Sequence, residues 1–375
     1  GTLYYGETYT GVITGVNLSA PTGAAATVGT HVITSADGTA DNYFTDNANG
    51  TLDVTQASLT VTADDKGKTY GGAEPPLTYT PSGTLYYGDT YSVITGVSLD
   101  TQIGPLATAG VHVINASGGT AVNYDITHVP GELTVAKSDT VEVIADNKAK
   151  VYGAADPSLS SVTTGTFFYG DDPAAVVTGI TLDTQTGAAA TAGTHAINVS
   201  GSTAANYIIT ETAGTLTVTK APALTITADN QTKTYGAAEP PLTYTPSGIL
   251  YYSDGYDVIT GVNVSAPTGA SADVGTHVIT AADGGADNYF TNHVAGTLTV
   301  DKAAALTITA DNQSKVYGAA DPSLTWTGSG TLYYGETYTG VITGVNLSAP
   351  TGAAATVGTH VITSADGTAD NYFTD

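Results

Sequence analysis

Gly296-Thr297-Leu298-Thr299-Val300-Asp301-Lys302-Ala303-Ala304-Ala305-Leu306-Thr307-Ile308-Thr309 contains two runs in which every second residue is apolar. Period-two alternation puts Leu298 and Val300, then Leu306 and Ile308, on one face of a strand and the threonines on the other. No Gly/Ser-rich or Pro-rich spacer lies between the runs, so one strand hands over to the next through a connection too short to act as a loose tether. The same wording stands at Gly214-Thr215-Leu216-Thr217-Val218-Thr219 and Leu224-Thr225-Ile226-Thr227-Ala228.

Outward from this joint, Leu242-Thr243-Tyr244-Thr245, the region of Tyr251-Tyr252, Val258 to Val262 and His277 to Thr280 read as further strands, rich in Thr, Val, Ile and Tyr. Turn chemistry interrupts them at Ala228-Asp229-Asn230-Gln231, Pro267-Thr268-Gly269 and Ala282-Asp283-Gly284-Gly285. No window carries a sustained 3.6-residue apolar stripe; at most, Gly236 to Pro241 opens one short helical turn.

The pattern repeats. Tyr70-Gly71, Tyr152-Gly153, Tyr235-Gly236 and Tyr317-Gly318 stand 82, 83 and 82 residues apart. Gly-x-His recurs in the same register at His31, His112, His195, His277 and His360, and Asn-Tyr at Tyr43, Tyr124, Tyr207, Tyr289 and Tyr372. Copies are therefore expected at 57–139, 140–221 and 222–304, with partial copies at 1–56 and 305–375. Residues 1–46 are identical to 330–375, as in a window cut from a longer, recently duplicated array. The expected fold is all-β: a tandem array of small β-rich domains, β-grasp-like or β-sandwich-like, with at most one short helix per copy, stacked into an elongated, semi-rigid rod.

Composition narrows the function. Nine basic against 34 acidic side chains give a net charge of -25, which repels phosphate backbones and anionic lipid. Arginine, the residue best suited to clamp phosphate, does not occur, so nucleic acid is not expected as a partner. With 41% hydrophobic and only 11% charged residues, the chain has the means to build a core. Without cysteine or methionine it forms no disulfide or thiolate site and is indifferent to redox conditions. No apolar run approaches the roughly 20 residues of a membrane span, so no membrane insertion is expected within these residues. Gly1 opens in mid-pattern, and export signals and anchors are expected outside this stretch.

The segment Leu306 to Leu324, with Ala310-Asp311-Asn312-Gln313 and Tyr317-Gly318 in it, an Asn-Tyr element after it and a closing Gly-Thr-Leu-Thr-Val, resembles the MBG/YDG-type repeat of large secreted bacterial adhesins and filamentous-haemagglutinin-like surface proteins. The resemblance runs copy after copy. It implies a small β-rich, β-grasp-like domain used in number as a cell-surface stalk, and it implies no catalytic residues. Val141-Glu142-Val143-Ile144-Ala145 and Ser161-Val162 depart from the common wording, so different packing is expected in that copy.

No catalytic, cofactor-binding or metal-binding residue is assigned, and no cofactor is expected. Asp37 and Asp41, like Asp283 and Asp287, are close enough in sequence to suggest calcium, but their spacing fits no calcium loop and other copies lack both acids, so they read as solvated turns. The histidines lack a second His or Cys nearby and read as strand-start residues with a satisfied hydrogen bond. Aromatic doublets at Tyr4-Tyr5, Tyr86-Tyr87, Phe168-Tyr169, Tyr251-Tyr252 and Tyr333-Tyr334, taken as strands, would bury one ring and expose the other. Trp326 takes the place of Tyr79 and Tyr244, an aromatic core position. Lys68, Lys150, Lys233 and Lys315, two residues before each marker tyrosine, read as snorkelling strand lysines, with an isopeptide bond to the Asn of Asn-Tyr as the sharper alternative.

The expected function is a non-enzymatic stalk or fibre shaft of an extracellular, surface-attached bacterial adhesin. One alternative is a filament subunit in which 1–56 and 305–375 are completed by strands of adjacent subunits. Another is a carbohydrate-binding array using exposed tyrosines. Expected partners are neighbouring repeats or copies of itself, and host or matrix glycans or proteins.

Overall fold

The computed structural model describes residues 1–375 apart from 24–25, 185, 267–270 and 352–354; the expected Pro267-Thr268-Gly269 turn lies outside the described residues. The chain divides into two compact units, one of residues 1–145, 160–183 and 198–213, the other of 146–159, 184–197 and 214–375.

Copy 57–139 lies wholly in the first unit and has seven strands: β1 (Ala57–Ala63), β2 (Lys66–Thr69), β3 (Tyr79–Gly83), β4 (Thr95–Asp100), β5 (Gly110–Thr120), β6 (Tyr124–Val129) and β7 (Gly131–Ala136). They form a three-stranded sheet, β3-β1-β6, and a four-stranded one, β2-β7-β5-β4. β1 runs antiparallel to β3, with Val61 opposite Pro81, and parallel to β6, with Leu59 opposite Ile126. β7 runs parallel to β2 and antiparallel to β5, where Leu133 faces His112. Pro81 is tolerated because β3 is an edge strand and has no neighbour on one side to require its missing N–H.

The first strand changes sheet at Asp64-Asp65. There Asp64 accepts hydrogen bonds from the hydroxyls of Thr78 and Thr80, and Asp65 Oδ1 accepts from Glu132 N at 2.8 Å. The same corner recurs in the second unit, where Asp229 accepts from Thr243 Oγ1 at 2.6 Å and Thr245 Oγ1 at 2.7 Å, and Asp311 from Thr325 and Thr327 at 2.7 Å each. These two hydroxyls hold each of the three carboxyls below its ordinary pKa.

The alternating pattern does what it promised: β7 reads buried, exposed, buried, exposed along Gly131 to Ala136, with Leu133 and Val135 inside. Leu59 and Val61 pack with Ile94, Ala121 and Tyr124, and with Val97 and Ala116 from the far half of the four-stranded sheet. The near half behaves differently. Ile114, Leu133 and Val135 pack with Tyr70 and with Val141, Val143 and Tyr207 of the following copy. In the second unit Ile279, Leu298 and Val300 likewise join Ala303, Leu306 and Tyr372. The hydrophobic core therefore does not stop where a copy ends.

Two sheets with single helical turns give the sandwich-like form, since a β-grasp needs a helix laid across its sheet. Copy 57–139 carries two 3₁₀ turns, Tyr91–Val93 and Gly104–Leu106. Several expectations are corrected. Gly236 to Pro241 is not helical; Gly236 sits at φ +83° and Pro240 and Pro241 remove two donors, and the helical turn comes later, at Tyr256–Val258. The doublets sit in turns rather than strands, with Tyr87, Tyr169, Tyr252 and Tyr334 at φ of 52–57°. Ala282 to Gly285 is not a turn but the last four residues of strand Gly275–Gly285, which Asp283 and Gly284, both at positive φ, bend. Val141, Val143 and Ala145 are buried like Leu224, Ile226 and Ala228, so that strand keeps the common packing, whereas Ser161 has no ring to lay on the core as Tyr79 and Trp326 do. Apolar residues of similar volume at the same inward positions satisfy one core.

Candidate functional site

Three of the marker tyrosines, Tyr70, Tyr152 and Tyr235, come together with residues of the next copy. Tyr70 follows β2, and its N–H donates to Ala136 O at 2.9 Å, which continues the β2–β7 ladder by one rung. Its ring is 5% exposed and stands edge-on to Tyr169 (5.4 Å, 83°) and Tyr207 (5.5 Å, 80°). Gly71 permits this approach: it sits at φ +79°, and a Cβ there would lie 2.3 Å from the Phe168 ring.

One carboxylate ties the two copies. Asp171 Oδ2 accepts from Tyr70 Oη at 3.0 Å and from Tyr207 Oη at 2.6 Å. The Tyr207 oxygen in turn accepts from Phe168 N at 2.9 Å, so both capacities of that hydroxyl are used. In the second unit Asp254 accepts from Tyr152 at 3.0 Å and Tyr289 at 2.6 Å. Glu336 does the same one copy on, from Tyr235 at 2.9 Å and from Tyr372. Gly153 and Gly236 face Tyr251 and Tyr333 as Gly71 faces Phe168.

Two further ties recur. Asn206, Asn288 and Asn371 accept through Oδ1 from Ala109, Ala192 and Val274 N at 3.0, 2.9 and 2.9 Å. Their backbone carbonyls accept from Ser138, Ala221 and Ala303 N, the first residues of the adjoining strands. Lys137, Lys220 and Lys302, each in the joint itself, donate Nζ to Ala204, Ala286 and Ala369 O, all at 2.7 Å.

Burial, and then the shared carboxylate, raise the phenol pKa values: Tyr207, Tyr235 and Tyr289 are pushed up to about 12, and Tyr70, Tyr152 and Tyr372 also rise. The phenols therefore stay protonated donors at any physiological pH.

Sequence reasoning noticed the tyrosines and Asn-Tyr but not their meeting. The missed signal is an acid three residues after the first aromatic of each doublet: Glu7, Asp89, Asp171, Asp254 and Glu336. The other candidates lie elsewhere. His112, His195, His277 and His360 donate Nε2–H to the carbonyl four residues back at 2.7 Å. Asp37 directly follows strand Gly29–Ala36 and Asp283 lies within strand Gly275–Gly285, both at positive φ, and among the described residues no three His, Asp or Glu side chains gather closely enough to hold a metal. Lys150 and Lys233 meet Asp156 Oδ1 (2.6 Å) and Glu239 Oε2 (2.9 Å), and Lys68 and Lys315 meet Glu74 and Asp321. These lysine partners are the acid six residues on, not the Asn of Asn-Tyr, and that pairing gives no support to the isopeptide alternative.

The family model of the MBG domain (YGX type) matches residues 59–134, 141–217, 224–299 and 306–374, with Tyr70-Gly71 and its counterparts inside the matched spans. The chain is a tandem array of MBG domains. No curated protein matches it. Among solved structures, Drosophila N-cadherin EC1-4 is similar at 10% identity over 73% of this chain and 83% of that one, with a TM-score of 0.23. The protocadherin GammaB4 extracellular domain is similar at 12% identity over 79% and 57%, with a TM-score of 0.22. A SusE-like surface-located polysaccharide-binding protein from the Bacteroides thetaiotaomicron heparin utilisation locus is similar at 10% identity over 78% and 55%, with a TM-score of 0.15. Superpositions this loose carry no argument. Among the described residues of the MBG array, no helix is long and apolar enough to cross a membrane.

Proposed function

We propose that this MBG array is a non-enzymatic stalk segment of an extracellular bacterial adhesin, in which each joint between copies is locked by a phenol–carboxylate–phenol bridge. The observation that carries the reading is the recurrence of one lock, Tyr70–Asp171–Tyr207, Tyr152–Asp254–Tyr289 and Tyr235–Glu336–Tyr372, at successive joints. A spacer is useful only if its joints resist bending. Hydrogen bonds to a charged acceptor are worth about 1.5–3 kcal/mol each, and here they lie against a core continuous across the joint. Secretion suits a chain without cysteine and with a net charge of -25, which keeps an exposed array soluble.

A carbohydrate-binding reading has less behind it. The exposed second tyrosines of the doublets have hydroxyls engaged at the joints: Tyr169 donates to Pro105 O at 2.9 Å and Tyr252 to Ala188 O. The test of the stalk reading is small-angle scattering of the monomeric chain. A maximum dimension that grows in proportion to the number of copies supports it; a single globular particle contradicts it.

A further inference from the structure

At each of three joints a half-exposed phenol stands edge-on to a buried one. Tyr169, Tyr252 and Tyr334, the second members of their doublets, are 46%, 49% and 51% exposed, whereas Tyr70, Tyr152 and Tyr235 are buried. In the pairs Tyr70–Tyr169, Tyr152–Tyr252 and Tyr235–Tyr334 the ring centroids lie 5.4, 5.4 and 5.6 Å apart, at 83°, 75° and 80°. Ring packing as such is served equally by phenylalanine, as Phe168 in the place of Tyr251 and Tyr333 shows. All six members of these pairs are nevertheless phenols, and a phenol brings redox chemistry that a plain ring does not.

The two rings of a pair differ in what they offer an oxidant. A one-electron oxidant in solution reaches Tyr169, whose proton leaves to water. The hole then passes to Tyr70, with which Tyr169 is in ring contact. A phenol so deeply buried cannot become a cation. Tyr70 Oη, however, already donates to Asp171 Oδ2 at 3.0 Å, so its proton moves to the carboxylate as the electron leaves. Asp254 and Glu336 are placed to do the same for Tyr152 and Tyr235. Within these residues neither cysteine nor methionine competes for the oxidant.

We propose that Tyr70–Tyr169, Tyr152–Tyr252 and Tyr235–Tyr334 are sites of dityrosine cross-linking by a peroxide acting through a haem peroxidase, each bond stapling one copy to the next. A second oxidation of Tyr169 leaves two phenoxyl radicals side by side. Their ortho carbons form one C–C bond, each of those carbons then releases its hydrogen as a proton, and both oxygens are reprotonated, that of Tyr70 from Asp171. In sum two electrons and two protons pass to the peroxide, which becomes two waters. The half-exposed ring belongs to a turn and has solvent beside it, so it is the member that rotates to align the carbons. Each staple spans about 100 positions of sequence and so constrains the unfolded chain as a disulfide would. The inference goes beyond the stalk reading, which hydrogen-bonded joints satisfy.

The test treats the full chain, folded and dilute, with hydrogen peroxide and a haem peroxidase, then measures intact mass, dityrosine fluorescence and cross-linked peptides by tandem mass spectrometry. The expected product is a fluorescent monomer lighter by two hydrogens per staple, with Tyr70 joined to Tyr169, Tyr152 to Tyr252 and Tyr235 to Tyr334. Tyr252→Phe should reduce the mass loss by one staple and leave the other two in place. Tyr256→Phe, which removes an exposed phenol outside the pairs, should change none of them. Protein recovered at its parent mass overturns the proposal, as does dityrosine formed chiefly between molecules or at tyrosines outside these pairs. None of these outcomes bears on the stalk reading, which scattering of the untreated monomer tests separately.

Discussion

At the scale of single residues, a phenol hydroxyl at each joint has one proton to donate and a carboxylate to receive it. Tyr152→Phe removes that donor with little change of shape and is expected to cost about 1.5–3 kcal/mol in urea-induced unfolding. Asp254→Ala should cost more, because it leaves the hydroxyls of Tyr152 and Tyr289 without their acceptor. Glycine sets a sharper contrast. Gly236→Ala combines a positive φ with a Cβ 2.3 Å from the Tyr333 ring and should cost several times more than Gly88→Ala, which has a positive φ but open space. The raised phenol pKa values fix a pH dependence. The folded state holds its protons more tightly than the unfolded one, so the contribution is complete below the ordinary tyrosine value of 10. It is lost as pH rises from there through about 12. Ultraviolet titration should show the joint tyrosines ionising above the ordinary tyrosine range, together with loss of structure.

At the scale of elements, period-two alternation made the strands legible, because burying one face of a sheet leaves no other pattern free to appear. Gly296 to Val300 and Leu306 to Thr309 are strands with only Lys302 between Gly296–Asp301 and Ala303–Ala310. The turns were less legible. Tyr252 and Tyr334 are bulky residues at positive φ, which local sequence rules assign to Gly or Asn; the exposed Tyr5 and Tyr87 adopt the same conformation, so it belongs to the turn itself. The lock was illegible for a different reason: its members lie about 35 and 100 positions apart, and their meeting depends on how two sheets close. The corner acids lend themselves to a direct test. Asp64, Asp229 and Asp311 have depressed pKa values, so their contribution is present above the ordinary carboxyl value and vanishes as pH falls through the lower folded one. Replacing all three with Asn should reduce stability at neutral pH and flatten its decline on the acid side, read from thermal midpoints against pH.

At the scale of the molecule, copies defined by sequence and cores defined by packing are out of phase. The period of 82–83 residues was plain from Tyr-Gly, Gly-x-His and Asn-Tyr. Nothing in it said that Ile114, Leu133 and Val135 would share a core with Val141, Val143 and Tyr207 of the next copy. In an array of independent beads, each copy would unfold by itself; joined cores and locks couple neighbours, as in a one-dimensional chain with interface terms. The measurement that tests this most directly is urea unfolding of the whole chain beside the triple variant Tyr70→Phe, Tyr152→Phe, Tyr235→Phe, followed by circular dichroism and by Trp326 fluorescence. Coupling through the locks predicts that the parent unfolds in a steep, shared transition by both probes. The variant should then unfold over a broader range, with a lower apparent m-value and separated probes. Superimposable curves for the two proteins, in midpoint and in slope, would contradict it.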